Sequence, residues 1–180
     1  ALDVYMLPYA DNPAGVAATG YLNITAVPTA DGTLALYIAG ALVSVGVTAG
    51  QSQASVASAI AAAINNDVSL PVGATVAAAV VTLTAKHKGT CGNNIDLRTG
   101  LYGEAMPTGL VMAVSAMASG TGDPAPGNLD TLIGQRWFRY VALGINDAAT
   151  LAAWHAESQA RYKPPVQAGF RAFTAMRGDY

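Results

Sequence analysis

A single cysteine, Cys91, stands in 180 residues, which excludes an internal disulfide framework and a multi-cysteine zinc site. Cations are missing from the first 85 positions, where the only charges are Asp3, Asp11, Asp31 and Asp67; the first basic residue is Lys86. Charged residues make up 11% of the chain, against a usual share of about 25%. Neither half is basic enough to imply a nucleic-acid partner. No run approaches the ~18 consecutive apolar residues of a membrane-spanning helix; the alanine-rich stretch 54–64 is too short and reads as a packed helix. No signal-peptide pattern is visible. The chain also lacks an initiator methionine and stops at "AMRGDY", just after a strand-like run, so it is expected to be a piece of something larger.

What is present is small and neutral. The composition is 52% hydrophobic but only 7% aromatic, inflated by alanine and 19 glycines. A surface made largely of such residues fits close packing against other copies. Residues 131–180 hold six cations (Arg136, Arg139, Arg161, Lys163, Arg171, Arg177) against Asp147, Glu157 and Asp179. Opposite-signed ends would attract neighbouring subunits, although ordinary solvated charge is the plainer reading. The length suits one ordinary domain or two small ones, enough for a real core.

Periodicity then assigns elements. In "GTLALYIAGALVSVGV", Leu34, Leu36 and Ile38 alternate with Ala35 and Tyr37, and Val43, Val45 and Val47 with Ser44 and Gly46. This predicts a β-hairpin turning at Ala39-Gly40-Ala41. "GYLNITAV" before it predicts a third strand ended by Pro28 and the Asp31-Gly32 turn. Val56, Ile60 and Ile64, with Ala57 and Ala63 beside them, form one stripe on a helix, capped by Ser52 and left at Asn65-Asn66. After Pro71, "ATVAAAVVTLTAKH" predicts one or two strands with Val81 and Leu83 inward and Thr82 and Thr84 outward; "NIDLR" and "GLVMAVSAM" predict two more. "ASGTGDPAPGN", residues 118–128, reads as a linker.

Beyond it the grammar changes. "RWFRYVALGIND" predicts a strand running to Asp147, which caps a helix Ala148–Tyr162 with Leu151, Trp154 and Ser158 on one face and a Glu157–Arg161 i,i+4 pair. Pro164-Pro165 stops the helix and "VQAGFRAFTAM" predicts a second strand, making a right-handed βαβ unit. The opening "LDVYMLPYADN" rhymes with "FRYVALGINDA", so Val4–Leu7 is expected in the same sheet as Phe138–Leu143. The fold class is therefore mixed α+β and α/β. A small α/β domain is built from both ends of the chain, residues 1–13 and 125–180, around an inserted β-rich domain, 14–124, that carries one helix and whose two ends lie close together.

Candidate sites are few. "KHKGTCGNN" supplies Gly89 and Gly92 for bends and Asn93-Asn94 for left-handed backbone. A nucleophile reading needs Cys91 activated by a base such as His87, but the two need not face each other and no orienting carboxylate is evident until Asp96; a tight corner is the favoured reading. His87 and His155 lack a metal-ligand pattern. Asp11 and Asp147 sit at strand ends, where α/β enzymes place acids, yet capping or turn formation explains both more cheaply. "SGTGDPAPG" lacks a Walker lysine and the Rossmann spacing, and Arg177-Gly178-Asp179 is too short to carry an adhesion reading. The expectation is no enzyme, no catalytic, cofactor-binding or metal-binding residues, and no cofactor.

An ordered set of segments nonetheless resembles a family. "LPYADNPAGVAATG", "GTLALYIAGALVSVGVTAGQS", "VASAIAAAIN", "VVTLTAKHKGTCGNNIDL" and "RYVALGIND…LAAWHAESQARYKPPVQAGFRAF" are similar to the contractile tail sheath proteins of Mu-like bacteriophages. The match rests on order and spacing across most of the chain. The resemblance implies a structural virion subunit that forms six-fold rings stacked helically around the tail tube, in a virion tail assembled in the host cytoplasm. It implies partners in other sheath subunits, the tube protein, and baseplate and tail terminator proteins, with no nucleic acid and no membrane. It also implies terminal arms that lace subunits together; with both ends trimmed the arms are expected to be absent and this fragment monomeric. Competing readings are a stand-alone β-rich binding or adhesion module of a virion or cell surface, and an α/β hydrolase-like enzyme using Asp147 or Cys91.

Overall fold

A computed structural model describes residues 4–134, 136–145, 147–164 and 167–174. The chain divides into two compact units, Asp11–Asp123 and a second formed by Ala1–Ala10 with Pro124–Tyr180. Together they are a mixed α+β fold.

The Asp11–Asp123 unit is β-rich. Its strands are β1 (Ala17–Ala26), β2 (Gly32–Ile38), β3 (Ala41–Val47), β4 (Val72–Ala77), β5 (Val80–Lys88), β6 (Leu97–Thr99) and β7 (Val111–Ala118), with helix α1 (Gln53–Asn66) between β3 and β4. They form two antiparallel sheets, in the orders β4-β5-β1-β7 and β3-β2-β6. Period-2 alternation explains the interior: Leu22 and Ile24 of β1, Leu34, Leu36 and Ile38 of β2, Val43, Val45 and Val47 of β3, and Val81 and Leu83 of β5 are all buried. The intervening Tyr21, Asn23 and Thr25 are exposed.

The β2–β3 hairpin turns at Ala39-Gly40, both with positive φ (51° and 82°), the twist that two-residue hairpins require. The "ATVAAAVVTLTAKH" stretch is two strands, broken at Ala78, which also has positive φ (51°). Helix α1 starts at the expected cap, with Ser52 accepting from the Ser55 N–H. It buries Val56, Ala57, Ile60, Ala61 and Ile64; Ala63, expected beside the stripe, is only half-buried. At its end the Asn65 side-chain amide donates to Ala74 O (2.8 Å) and accepts from Ala74 N (2.9 Å). That pairing continues the hydrogen-bonding pattern at the edge strand β4, where an open edge would be a liability.

The second unit is smaller. It contains α2 (Leu129–Ile133), β8 (Tyr140–Leu143), α3 (Ala148–Tyr162) and β9 (Arg171–Thr174). β8 and β9 pair in parallel, Tyr140 with Arg171 through Leu143 with Thr174, so α3 is the crossover of a βαβ unit. Its interior is Leu129, Ile133, Trp154 and Phe170, with Leu7, Tyr9, Phe138, Val141, Leu143 and Ala153 packed around them. Trp154 meets Phe170 edge-on at 5.6 Å and donates its indole N–H to the Tyr9 hydroxyl oxygen (2.8 Å).

Three expectations are corrected. Residues 4–10 form no strand: Val4 and Met6 are 79% and 89% exposed, and Pro8 has no N–H to contribute to a ladder. Only Leu7 and Tyr9 of that segment reach the interior. β8 covers four residues rather than the whole run from Arg136. Finally, α2 was not foreseen; Asn128 caps it by accepting from the Thr131 N–H. The Arg177-Gly178-Asp179 tripeptide lies outside the described residues.

Candidate functional site

The "KHKGTCGNN" stretch is where β5 ends and the chain folds into a 3-10 turn, Thr90–Asn94. Gly89 makes the change of direction at φ 109°, and a Cβ there would lie 2.6 Å from an Asp123 carboxylate oxygen. Around this bend the polypeptide entering the unit and the polypeptide leaving it are tied together. Val16 and Thr121 exchange two backbone bonds (2.8 and 3.0 Å). Asp11 accepts from the Lys88 N–H (3.2 Å), and Lys88 Nζ donates to Pro13 O (2.9 Å).

The Asp123 carboxylate accepts from both the backbone N–H and the hydroxyl of Thr90, at 2.6 to 2.9 Å. Asn93 donates to Gly120 O (3.0 Å) and accepts from Gly120 N (2.7 Å). Gly15 faces Gly122 so closely that a Cβ on Gly15 would be 2.6 Å from the Gly122 carbonyl. The stretch is thus a clasp at the base of the β-rich unit. Asn93 and Asn94 can adopt left-handed backbone, but neither has a positive φ here. A helical turn instead frees the Asn93 amide to bond across the clasp.

The clasp also brings together two residues that sequence spacing kept apart. His87 Nδ1 lies 3.5 Å from Asp11 Oδ1, a base beside an orienting carboxylate. The imidazole is 79% exposed, however, and general-base chemistry needs it within reach of a nucleophile. Cys91 is exposed and makes no hydrogen bond to His87 among the described residues. Asp96, the other carboxylate considered, pairs with Arg98 (2.6 Å). Among the described residues no group of three or more His, Cys, Asp or Glu is placed to hold a metal ion. No described helix is long and apolar enough to cross a membrane.

In the smaller unit Asp147 is the N-cap of α3, accepting from the N–H groups of Ala149 and Thr150 (both 3.0 Å). Burial pushes its carboxyl up, but the bonds from Thr150 and Ala149 outweigh this and hold it below its ordinary value. Oδ1 is occupied at the helix end, while Oδ2 is buried with no hydrogen-bond partner among the described residues. His155 is exposed on the same helix, beside buried Trp154.

Two polar arrangements escaped sequence reasoning. Arg161 is 5% exposed and ties α3 to α2. It donates to Glu157, to Gly134 O (2.6 Å) and Arg136 O (3.2 Å), and reaches Asp130 at 3.4 Å. The i,i+4 spacing revealed only the Glu157 partner. Tyr37, on the face of β2 away from the aliphatic interior, donates its hydroxyl to Glu104 and meets Tyr102 edge-on at 5.5 Å. The Glu104 bond, with burial, pushes the Tyr37 hydroxyl up to about 12; the same bond lowers the Glu104 carboxyl. No local pattern in "LYGEAM" announces it.

Each unit is held by its own packing and polar ties, and at the level of class the chain is similar to the tail sheath proteins of Mu-like bacteriophages and prophages. No family model matches it. The particular relative is the Mu-like prophage FluMu tail sheath protein of Haemophilus influenzae, 37% identical over 180 residues that cover 99% of this chain. The resemblance carried by the ordered segments therefore holds along the whole sequence. The chain spans 37% of that relative's length.

Proposed function

We propose that this chain is a stretch of a phage tail sheath subunit, a structural protein that self-associates in the virion tail, polymerises around the tail tube and drives the tube through the host envelope by contraction. The observation that carries the reading is the 37% identity running through 99% of the chain. In this reading the work is physical rather than chemical, and no residue acts as catalyst or ligand. An extended sheath is metastable, and each subunit moves as nearly rigid pieces to a lower-energy packing. A gain of only about 1–3 kcal/mol per subunit, the size of ordinary coupling energies, becomes large when many copies shift together.

Residues 1–13 and 125–180 act as part of the α/β sheath core and carry contacts between subunits, while 14–124 is an inserted domain that decorates the outside. The clasp of Asp11, Lys88, Asn93 and Asp123 supports that division, because an insert can be rigid only if its entry and exit are fixed to one another. The tube, baseplate and tail terminator proteins are the further partners, assembly takes place in the host cytoplasm, and the 180-residue chain alone is a monomer.

Negative-stain microscopy of the full-length sheath protein tests this. Striated tubes or stacked rings are expected; monodisperse particles under assembly conditions would overturn it.

A further inference from the structure

We propose that the outward face of the β8–β9 pair is an interaction surface covered by a further segment of the same sheath polypeptide, supplied from outside these 180 residues. This rests on the reading above that the chain is a stretch of a longer sheath protein. The two strands carry side chains to opposite faces in alternation. Val141 and Leu143 pack inward against the Trp154–Phe170 interior. Tyr140 and Ala142, with their register partners Arg171 and Phe173, point the other way. Tyr140 is 63% exposed and Phe173 57%, their rings 6.0 Å apart, and Trp137 just before β8 is 67% exposed.

Sequence pattern says that this face is meant to be dry. β8 reads Tyr-Val-Ala-Leu, apolar at every position, as in strands buried on both faces; β1 alternates Leu22, Asn23, Ile24, Thr25, as in strands with one wet face. Parallel pairing points the same way, since parallel sheets are found covered on both sides. Among the described residues this sheet has two strands, fewer than a stable sheet needs.

Two observations choose the occupant. The relative extends well beyond the matched stretch, since this chain spans 37% of its length, and a tethered segment arrives at high effective concentration. A second copy presenting the same face would instead set exposed Arg171 against its own counterpart, a like-charge contact that disfavours association.

Thiol labelling decides it. In a Cys91→Ser background, Ala142→Cys places a thiol at an exposed position on the outward face. Its reaction with a maleimide is expected to be at least about tenfold slower in the full-length protein, at dilutions where light scattering finds monomers, than in the 180-residue chain. Equal rates overturn the proposal. Protection that appears only as copies associate also overturns it, in favour of a second copy. Amide exchange at 140–143 and 171–174 in the unsubstituted proteins repeats the comparison without a mutation: slower exchange in the full-length monomer supports the proposal and unchanged exchange overturns it. If the full-length protein protects position 142 yet forms no tubes or rings, the sheath reading falls and the covered face stands.

Discussion

The two units keep their shape by different means. In Asp11–Asp123 the interior is aliphatic and closed: Leu22, Leu34, Leu36, Ile38, Val56, Ile60, Ile64, Val81 and Leu83 are all sealed from water. Polar groups work at its margins, where Asn65 fixes β4 and Asn93 and Asp123 fix the clasp. The smaller unit has one aromatic contact at its centre and a buried guanidinium that holds α2 to α3. Burying apolar area scales with size, so the small unit leans on a directed polar network, which tolerates loss of a partner poorly. Both tryptophans, Trp137 and Trp154, belong to this unit. Their fluorescence therefore reports it alone, while amide exchange along the strands β1–β7 reports the other.

The sharpest way to break the contrast is Arg161→Ala. Removing one partner of a buried ion pair costs about 3–5 kcal/mol, so the tryptophan transition in urea should shift strongly, or be absent, while the strand signal keeps its midpoint. If both signals move together, the units do not melt separately and the comparison fails. The converse is Leu22→Ala, a fully buried position, where truncation costs about 2–5 kcal/mol. Here the midpoint read from amide exchange along the strands should fall and that of tryptophan fluorescence should not.

The smallest effect is expected from Asp147→Ala, which removes the α3 cap at about 0.5–2 kcal/mol. Because the folded state lowers this carboxyl, its contribution is present above the unfolded value and is lost as pH falls through the folded one. The wild-type and variant tryptophan midpoints should therefore differ at pH 7 and converge below about pH 4, near and under the ordinary aspartate range. A gap that persists at low pH would mean that Asp147 acts by something other than its charge.

Much of this architecture could be read directly from residue order. The hairpin turning at Ala39-Gly40, the Ser52 cap, the stripe of Val56, Ile60 and Ile64, and the span and cap of α3 are all local matters. They depend on side-chain period and on bonds that close within a turn, and both are written in neighbouring residues. The resemblance to tail sheath proteins was legible for the same reason, in segments whose order runs the length of the chain.

Tertiary structure alone decided the rest. Beyond the missing N–H of Pro8, nothing near Val4–Leu7 reveals that it finds no partner strand, because pairing is a property of two segments. Asn93 was read as a turn residue and in fact bonds Gly120, 27 positions on. Asp11 meets His87, 76 residues away, only because β1 and β5 are paired. Arg161 declares Glu157 through helical spacing, but its hold on Gly134 and Arg136 needs α2 in place. Sequence determines which side chains share a face, since that is geometry within one element. Which donor meets which acceptor across elements is settled by packing, where a shift of an ångström makes or loses a hydrogen bond.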